Sequence, residues 1–434
     1  MSKRAVAIMV ALNAGAQAAQ PQPRRHVNRC LGKWRGSAVA GYVFSGDEQT
    51  YKENFRCSRE SFGLLHGLLV SSRFATAAET CTVWRTAQLA GGNKRIRSRR
   101  ATAYKMTASR DPPTLRFKLA ACMYVFGHGG PLKVLADSCG VGKSTLRGWL
   151  EQFSWATYEV LKPLYMPARP FTAEERAQVE SEFAARRGIR NVVLACDGSH
   201  CPFRPKNHKV SQDYRCYKGW TSLLVVAFVD SFYRFYEVDV GFPGRAGDNT
   251  VLARSWLMNA IKQDRAKWLG EAGVILGDSG ASDGDSVFMN PYHAPTCERR
   301  LHFNFCHSST RFFIEQAFGI WKSRFRFILE PIRTGHKLTC LMLYASAVLH
   351  NFLLTHRRDH IEVDSSGPHW DKFFAAYKKD RCPSCVQAER MHCIHQSTNR
   401  NGAAQVVHAR QAPSELREAT CAYLWERVLE SRDV

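Results

Sequence analysis

Val192-Val193-Leu194-Ala195-Cys196-Asp197-Gly198-Ser199-His200 begins with five apolar residues and turns abruptly to a carboxylate and a glycine. A short apolar run of this kind predicts a strand buried in a sheet. An acid at the C-terminal end of such a strand lies where open α/β sheets present ligand-binding groups. The layout recurs downstream, where Val274-Ile275-Leu276-Gly277 leads into Asp278 and Gly280 follows. An Asp beside Gly is also ordinary turn chemistry, so each acid taken alone carries both readings. Leu223 to Val229 and Phe235 to Val240 add two more strand-type runs, and residues 247–272 and 310–325 read as helical. Strands followed by packed helices predict an α/β layer domain over 191–358.

The third acid, Glu315, lies in Arg311-Phe312-Phe313-Ile314-Glu315-Gln316-Ala317-Phe318-Gly319-Ile320-Trp321. On a helix, Phe313, Ala317 and Trp321 share one face with Ile314 and Phe318 alongside, which leaves Glu315 on the rim of an apolar stripe. Arg311, one turn earlier, is placed to pair with it. Lys322, Arg324 and Arg326 follow on the next turns, as a phosphate-facing surface would require.

Upstream of the strands the pattern is helical. Residues 51–162 read as an all-helical region, with Phe55, Phe62, Leu65 and Leu68 at helical spacing and Leu115, Leu119 and Met123 on a later helix. Pro131 opens a short helix, Ser138-Cys139-Gly140-Val141 makes a turn, and Lys143 to Phe153 forms another helix. That is a helix-turn-helix layout over about 131–153, or an ordinary helical hairpin. In the first case Lys143, Ser144, Thr145 and Arg147 stand where a recognition helix meets DNA. The string Gly140-Val141-Gly142-Lys143-Ser144-Thr145 is not a phosphate loop, because Asp137 occupies the position of its first glycine. Residues 163–190, largely polar and charged, read as a linker.

Charge sets the partner class. Lys and Arg number 61 against 38 Asp and Glu, a net charge of +23. Such an imbalance attracts polyanions, of which nucleic acid is the commonest. Residues 1–46 hold no Asp or Glu and read as a basic tail, either a flexible leader or a targeting segment with Lys3 and Arg4 ahead of Ala5 to Leu12. Lys94, Arg95, Arg97, Arg99 and Arg100 form a second basic cluster, suited to nuclear import, to phosphate contact or to a solvated loop. Fifteen scattered cysteines do not form a secreted disulfide framework and indicate a reducing compartment. No run reaches the ~20 apolar residues of a membrane helix, so no membrane partner is expected. Residues 359–434 read as a polar tail. Within it Cys382, Cys385, His392, Cys393 and His395 are zinc-type ligands, with a Cys385–His392 gap shorter than in a common finger.

Taken in order, Phe55-Arg56-Cys57-Ser58-Arg59-Glu60-Ser61-Phe62, Asp197-Gly198-Ser199-His200, Tyr217-Lys218-Gly219-Trp220-Thr221-Ser222-Leu223, Asp230, Pro243-Gly244 and Asp248 resemble the PIF/Harbinger transposases, a group of DDE superfamily endonucleases. Gly277-Asp278-Ser279-Gly280, Ile314-Glu315-Gln316-Ala317-Phe318-Gly319, Arg324-Phe325 and Leu349-His350-Asn351 continue the series. The resemblance runs over about 51–358 and is tightest over 192–354. It implies an RNase H-like nuclease domain with Asp197, Asp278 and Glu315 as catalytic carboxylates, separated after Asp278 by 36 residues. Asp248 matches a further acidic position that assists metal binding. Gly247 replaces the usual His before it, which removes a proton-transfer role there, and Ala281 stands where the family tends to an aromatic.

The implied chemistry is hydrolysis of DNA phosphodiesters. Mg²⁺ or Mn²⁺ takes oxygen ligands, and two such ions about 4 Å apart activate water and stabilise the leaving oxygen. His200 either orients a ligand or is a simple hydrogen-bonded turn residue. A Myb-like targeting protein is the further partner the resemblance implies, self-association is a separate expectation, and the nucleus is the expected location. A DNA-binding descendant that no longer cuts is the competing reading.

Overall fold

The computed structural model describes residues 33–72, 74–75, 113–206, 208–281, 287–356 and 415–430. The basic cluster at 94–100 and the Cys/His group at 382–395 lie outside these residues.

The N-terminal part is helical, as expected: α1 (Ala38–Ser45), α2 (Glu48–Phe55), α3 (Arg59–Leu69), α4 (Leu115–His128), α5 (Leu132–Ser138) and α6 (Lys143–Ala156). Local chemistry starts most of them. Ser37, Asp47, Ser58 and Thr114 each accept a hydrogen bond from a backbone N–H of the first turn, which satisfies donors a helix leaves open. Tyr51, Phe55 and Phe62 close their core, with Tyr51 edge-on to Phe55 at 5.1 Å and to Phe62 at 5.2 Å.

The turn between α5 and α6 depends on Gly140, at φ +62°, a conformation that favours glycine. Leu146, Trp149, Leu150 and Phe153 bury one face of α6. A π-helical turn, Thr157–Leu161, carries the chain on from α6.

Three stretches depart from the sequence expectation. Residues 33–46, assigned to the basic tail, order into a 3-10 turn and α1, which buries Val39, Ala40 and Val43. The expected linker 163–190 contains α7 (Ala173–Arg187), which opens on a Thr172/Glu175 capping box and buries Val179 and Phe183. Its composition is polar because only those two of its residues are buried, so polarity alone misread it. The expected polar tail contains α13 (Glu415–Glu430), which is anchored by Arg299 and Arg300 on Glu418 at 3.1 and 3.0 Å and by buried Cys421 and Leu424.

The sheet joins β1 (Val192–Pro202), β2 (Ser222–Val229), β3 (Phe235–Pro243), β4 (Val274–Leu276) and β5 (Phe288–Met289) in the order β3-β2-β1-β4-β5. The β1–β2 and β2–β3 pairs are antiparallel, whereas β1–β4 and β4–β5 are parallel. Alternation along the strands feeds two cores. Ala195, Val225, Ala227 and Leu276 face one core with Ile314, Ala317 and Trp321 of α11 (Glu298–Arg324) and Leu343 and Val348 of α12 (His336–Thr355). Leu194, Cys196, Val226 and Ile275 face the other with α8 (Asp248–Leu252), α9 (Trp256–Gln263) and Leu269 of α10 (Arg265–Leu269). The result is a mixed α/β layer with a central sheet.

Asn351 of α12 pins the edge strand. Its Oδ1 accepts from Phe235 N at 2.8 Å, and its Nδ2 donates to Phe235 O at 2.7 Å and Tyr165 O at 2.8 Å. Among the described residues, α12 is the one helix long and apolar enough to cross a membrane by length and composition, which corrects the reading that no such run exists. Here it is a core helix, packed against β3 and α6.

Candidate active site

The strand register brings the first two acids together. Ala195 of β1 pairs with Leu276 of β4 in parallel, so Asp197 and Asp278 each stand two residues beyond a matched pair. Asp278 leaves its strand through a turn in which Gly280 N donates to Oδ1 at 2.9 Å. The turn reading and the site reading of this residue are therefore compatible.

Asp248 reaches the same strand from the first position of α8. A Cβ on Gly198 would fall 2.3 Å from Asp248 Oδ1, so a side chain at 198 would displace the carboxylate. Burial pushes the Asp248 carboxyl up to about 6, and the neighbouring charges of Asp197 and Asp278 add to the rise. Asp197 and Asp278 thus both lie within electrostatic reach of Asp248.

Glu315 approaches from the middle of α11. Its carboxyl is raised by burial; Arg311 counteracts this and Asp197 adds to it. Arg311 forks between the two acids: Nη1 donates to Asp197 Oδ2 and Nη2 to Glu315 Oε1, both at 2.8 Å. Burial disfavours the guanidinium charge, yet Asp197 and Glu315 more than compensate and hold its pKa above the usual value. The sequence suggests the Arg311–Glu315 pair through its four-residue spacing. The link to Asp197 joins elements 114 positions apart and leaves no local signal.

Basic residues surround this centre unevenly. Lys322 Nζ donates to Ser199 Oγ at 2.6 Å and to His200 O at 3.3 Å, and burial lowers its pKa. Arg324 is buried and Arg326 exposed, so the expected row of phosphate-facing cations is reduced. His200 is hydrogen-bonded through Nδ1 to Ser222 Oγ at 3.0 Å and lies in a strand, not a turn. Burial, then Lys218 and Lys322, lower its pKa.

Lys143, Ser144 and Thr145 are exposed at the start of α6, far along the chain from the acids. Arg147 differs, since its Nη1 donates to Thr334 O at 2.6 Å.

As they stand, no three His, Cys, Asp or Glu side chains among the described residues are grouped closely enough to hold a metal. The donor chemistry nonetheless fits a hard divalent cation. All four candidates are carboxylates, the charges of Asp197 and Asp278 bear on Asp248, and the charge of two is balanced by a guanidinium.

Comparison with known proteins agrees with this layout. The family described as DDE superfamily endonuclease matches residues 196–351, a span that opens one residue before Asp197 and ends on Asn351. Protein ALP1-like of Arabidopsis thaliana is 24% identical over 339 residues, covering 74% of this chain and 74% of that protein. No solved structure matches. The resemblance read from the ordered motifs is borne out: residues 196–351 match the DDE superfamily endonuclease family.

Proposed function

We propose that this chain is a divalent-metal-dependent DNA endonuclease of transposase type, built on an RNase H-like domain. The observation that carries the reading is the convergence of four carboxylates from separate elements: Asp197 and Asp278 at matched register on parallel strands, Asp248 seated against Gly198, and Glu315 tied to Asp197 through Arg311. Asp197, Asp278 and Glu315 are the catalytic residues, and Asp248 is a fourth metal ligand. Mg²⁺ or Mn²⁺ supplies the activated water and the charge neutralisation that phosphodiester hydrolysis needs. The protein's own work is to hold the carboxylates in place, with Lys322 fixing Ser199 and the His200 carbonyl on the strand that carries Asp197.

Lys143, Ser144 and Thr145 form the proposed DNA contact of the helix-turn-helix, while Arg147, expected beside them, is held by the Thr334 carbonyl. A net charge of +23 supports both a DNA substrate and a nuclear location. A Myb-like targeting partner remains part of the same reading by resemblance, and self-association is a separate expectation.

A second reading, DNA binding without cleavage, is favoured by one observation. Arg311 already balances Asp197 and Glu315 without any ion.

The deciding measurement is nicking of supercoiled DNA by wild type, Asp197→Ala, Asp278→Ala and Glu315→Ala, with Mg²⁺ and with chelator. Metal-dependent nicking by wild type is expected, with each substitution lowering the rate by about 10³-fold or more, as for residues that act as a unit. Wild-type rates in Asp278→Ala would remove the site assignment, and no nicking by wild type would leave the second reading.

A further inference from the structure

Arg311 is a cation gripped by two acids from different elements. Its side chain is 17% exposed, against 22% for Asp197 and 31% for Glu315. A helical pair four residues apart is worth little at a surface, and the intrahelical contact alone would need no further account. The fork to Asp197 is different. A guanidinium matches two carboxylates at once in a rigid plane, so Arg311 sets the separation between β1 and α11 at the point where both carry an acid. Asp197 then has both oxygens engaged, Oδ1 by Gly198 N at 2.8 Å and Oδ2 by Arg311 at 2.8 Å.

We propose that Arg311 is an exchangeable counter-ion, a positioning residue that holds Asp197 and Glu315 in place without metal and releases both when a divalent cation enters. This rests on the metal-site reading above and deepens it. Hard cations bind carboxylate oxygens directly, and Oδ2 of Asp197 and Oε1 of Glu315 are the atoms Arg311 now occupies. Cation and guanidinium therefore compete for the same lone pairs. Entry of the ion is an exchange, and metal affinity is lowered by the free energy of breaking the Arg311 contacts. Once released, the guanidinium lies one helical turn from Glu315, where its planar fork matches a phosphate of the substrate.

The test measures Mn²⁺ binding to the full chain by electron paramagnetic resonance and melting temperature in chelator and in millimolar Mn²⁺. It compares wild type, Arg311→Gln, Arg311→Lys and Asp278→Ala. Arg311→Gln is expected to melt lower than wild type in chelator, because the carboxylates lose their counter-charge. It is also expected to bind Mn²⁺ on the order of a hundredfold more tightly, the equilibrium equivalent of two charge-assisted hydrogen bonds no longer broken. Its metal-induced rise in melting temperature should be correspondingly larger. Arg311→Lys keeps the charge but grips one acid at a time and should fall between. If wild type binds Mn²⁺, Asp278→Ala does not, and Arg311→Gln binds no more tightly than wild type, Arg311 is a structural ion pair and the exchange is overturned with the metal site intact. If neither wild type nor either Arg311 variant binds Mn²⁺, the metal-site reading itself falls and takes the exchange with it.

Discussion

Asp239, on the edge strand β3, illustrates how a single residue can oppose the stability of its own fold. The residue is partly exposed as a whole, but Oδ2 is buried and has no hydrogen-bond partner among the described residues. Burial, then the neighbouring Glu237, push its carboxyl up to about 7 from 3.8, with a Ser255 hydrogen bond opposing the rise. Glu237 itself is fully buried between Trp256 Nε1 at 2.8 Å and Tyr344 OH at 3.0 Å. A carboxyl raised in the folded state binds its proton more tightly there than in the unfolded chain. Its contribution to stability is therefore present below pH 3.8 and is lost as pH rises through 7. Asp239→Asn removes that dependence. Above pH 7 it should be more stable than wild type by roughly 1–3 kcal/mol, the range for a poorly satisfied buried polar group, and the difference should shrink toward pH 4. Melts across that range check it; a constant difference would mean that Asp239 does not titrate between those limits. Asp197 and Asp278 were legible because each follows an apolar run and meets a glycine, whereas Asp239 stands between Val238 and Val240 and meets Ser255 only in the fold.

At the scale of elements, the start of α6 separates two kinds of basic residue that the sequence groups together. Lys143 is exposed, while Arg147 gives a 2.6 Å hydrogen bond to the carbonyl of Thr334, ahead of α12. Lys143→Ala should weaken DNA binding and reduce the slope of log affinity against log salt by about 0.9, the value of one phosphate contact. Arg147→Ala should instead cost roughly 1.5–3 kcal/mol of stability, the range for a hydrogen bond from a charged group. Salt-titrated DNA binding and denaturant melts of both variants separate the roles. Equal stabilities would show that the Arg147 contact is idle in solution. The elements themselves were largely visible: the four strand-type runs became β1 to β4, and the helix expected over 310–325 is the C-terminal part of α11. What escaped were α1, α7 and α13. α7 and α13 are polar on most of their surface and gain their hold from a few residues, Val179 and Phe183 of α7 or Cys421 and Leu424 of α13, packed on partners distant in sequence, whereas α1 is apolar but only eight residues long and adjoins a basic stretch. Periodicity is weak when only two positions of a helix are buried.

For the molecule as a whole, the sequence suggests a helical DNA-binding region joined by a linker to a nuclease domain, yet the packing joins them. One continuous core runs from Trp34 and Phe117 through Phe126 and Phe153 to Ala195, Trp321 and Leu349. Phe126 of α4 stacks on Phe327 at 4.8 Å and meets Phe325 edge-on at 6.1 Å, and both partners follow directly on α11, the helix of Glu315. α6 packs along α12, which in turn lies on β3. Separate domains connected by a linker would melt independently, but a shared core couples them. Calorimetry of the full chain should give one transition, with calorimetric and van't Hoff enthalpies equal. Phe126→Ala empties space between α4, α6 and the segment that follows α11, so it should lower that single transition by about 3–5 kcal/mol, the cost of truncating a buried aromatic ring. The fragment 191–358 would expose Phe325, Phe327 and the α12 face that α6 now covers, and should be aggregation-prone instead of independently folded. Two resolved transitions, with Phe126→Ala shifting only the first, would restore two separate domains and place the carboxylate site in a unit that folds without the helices.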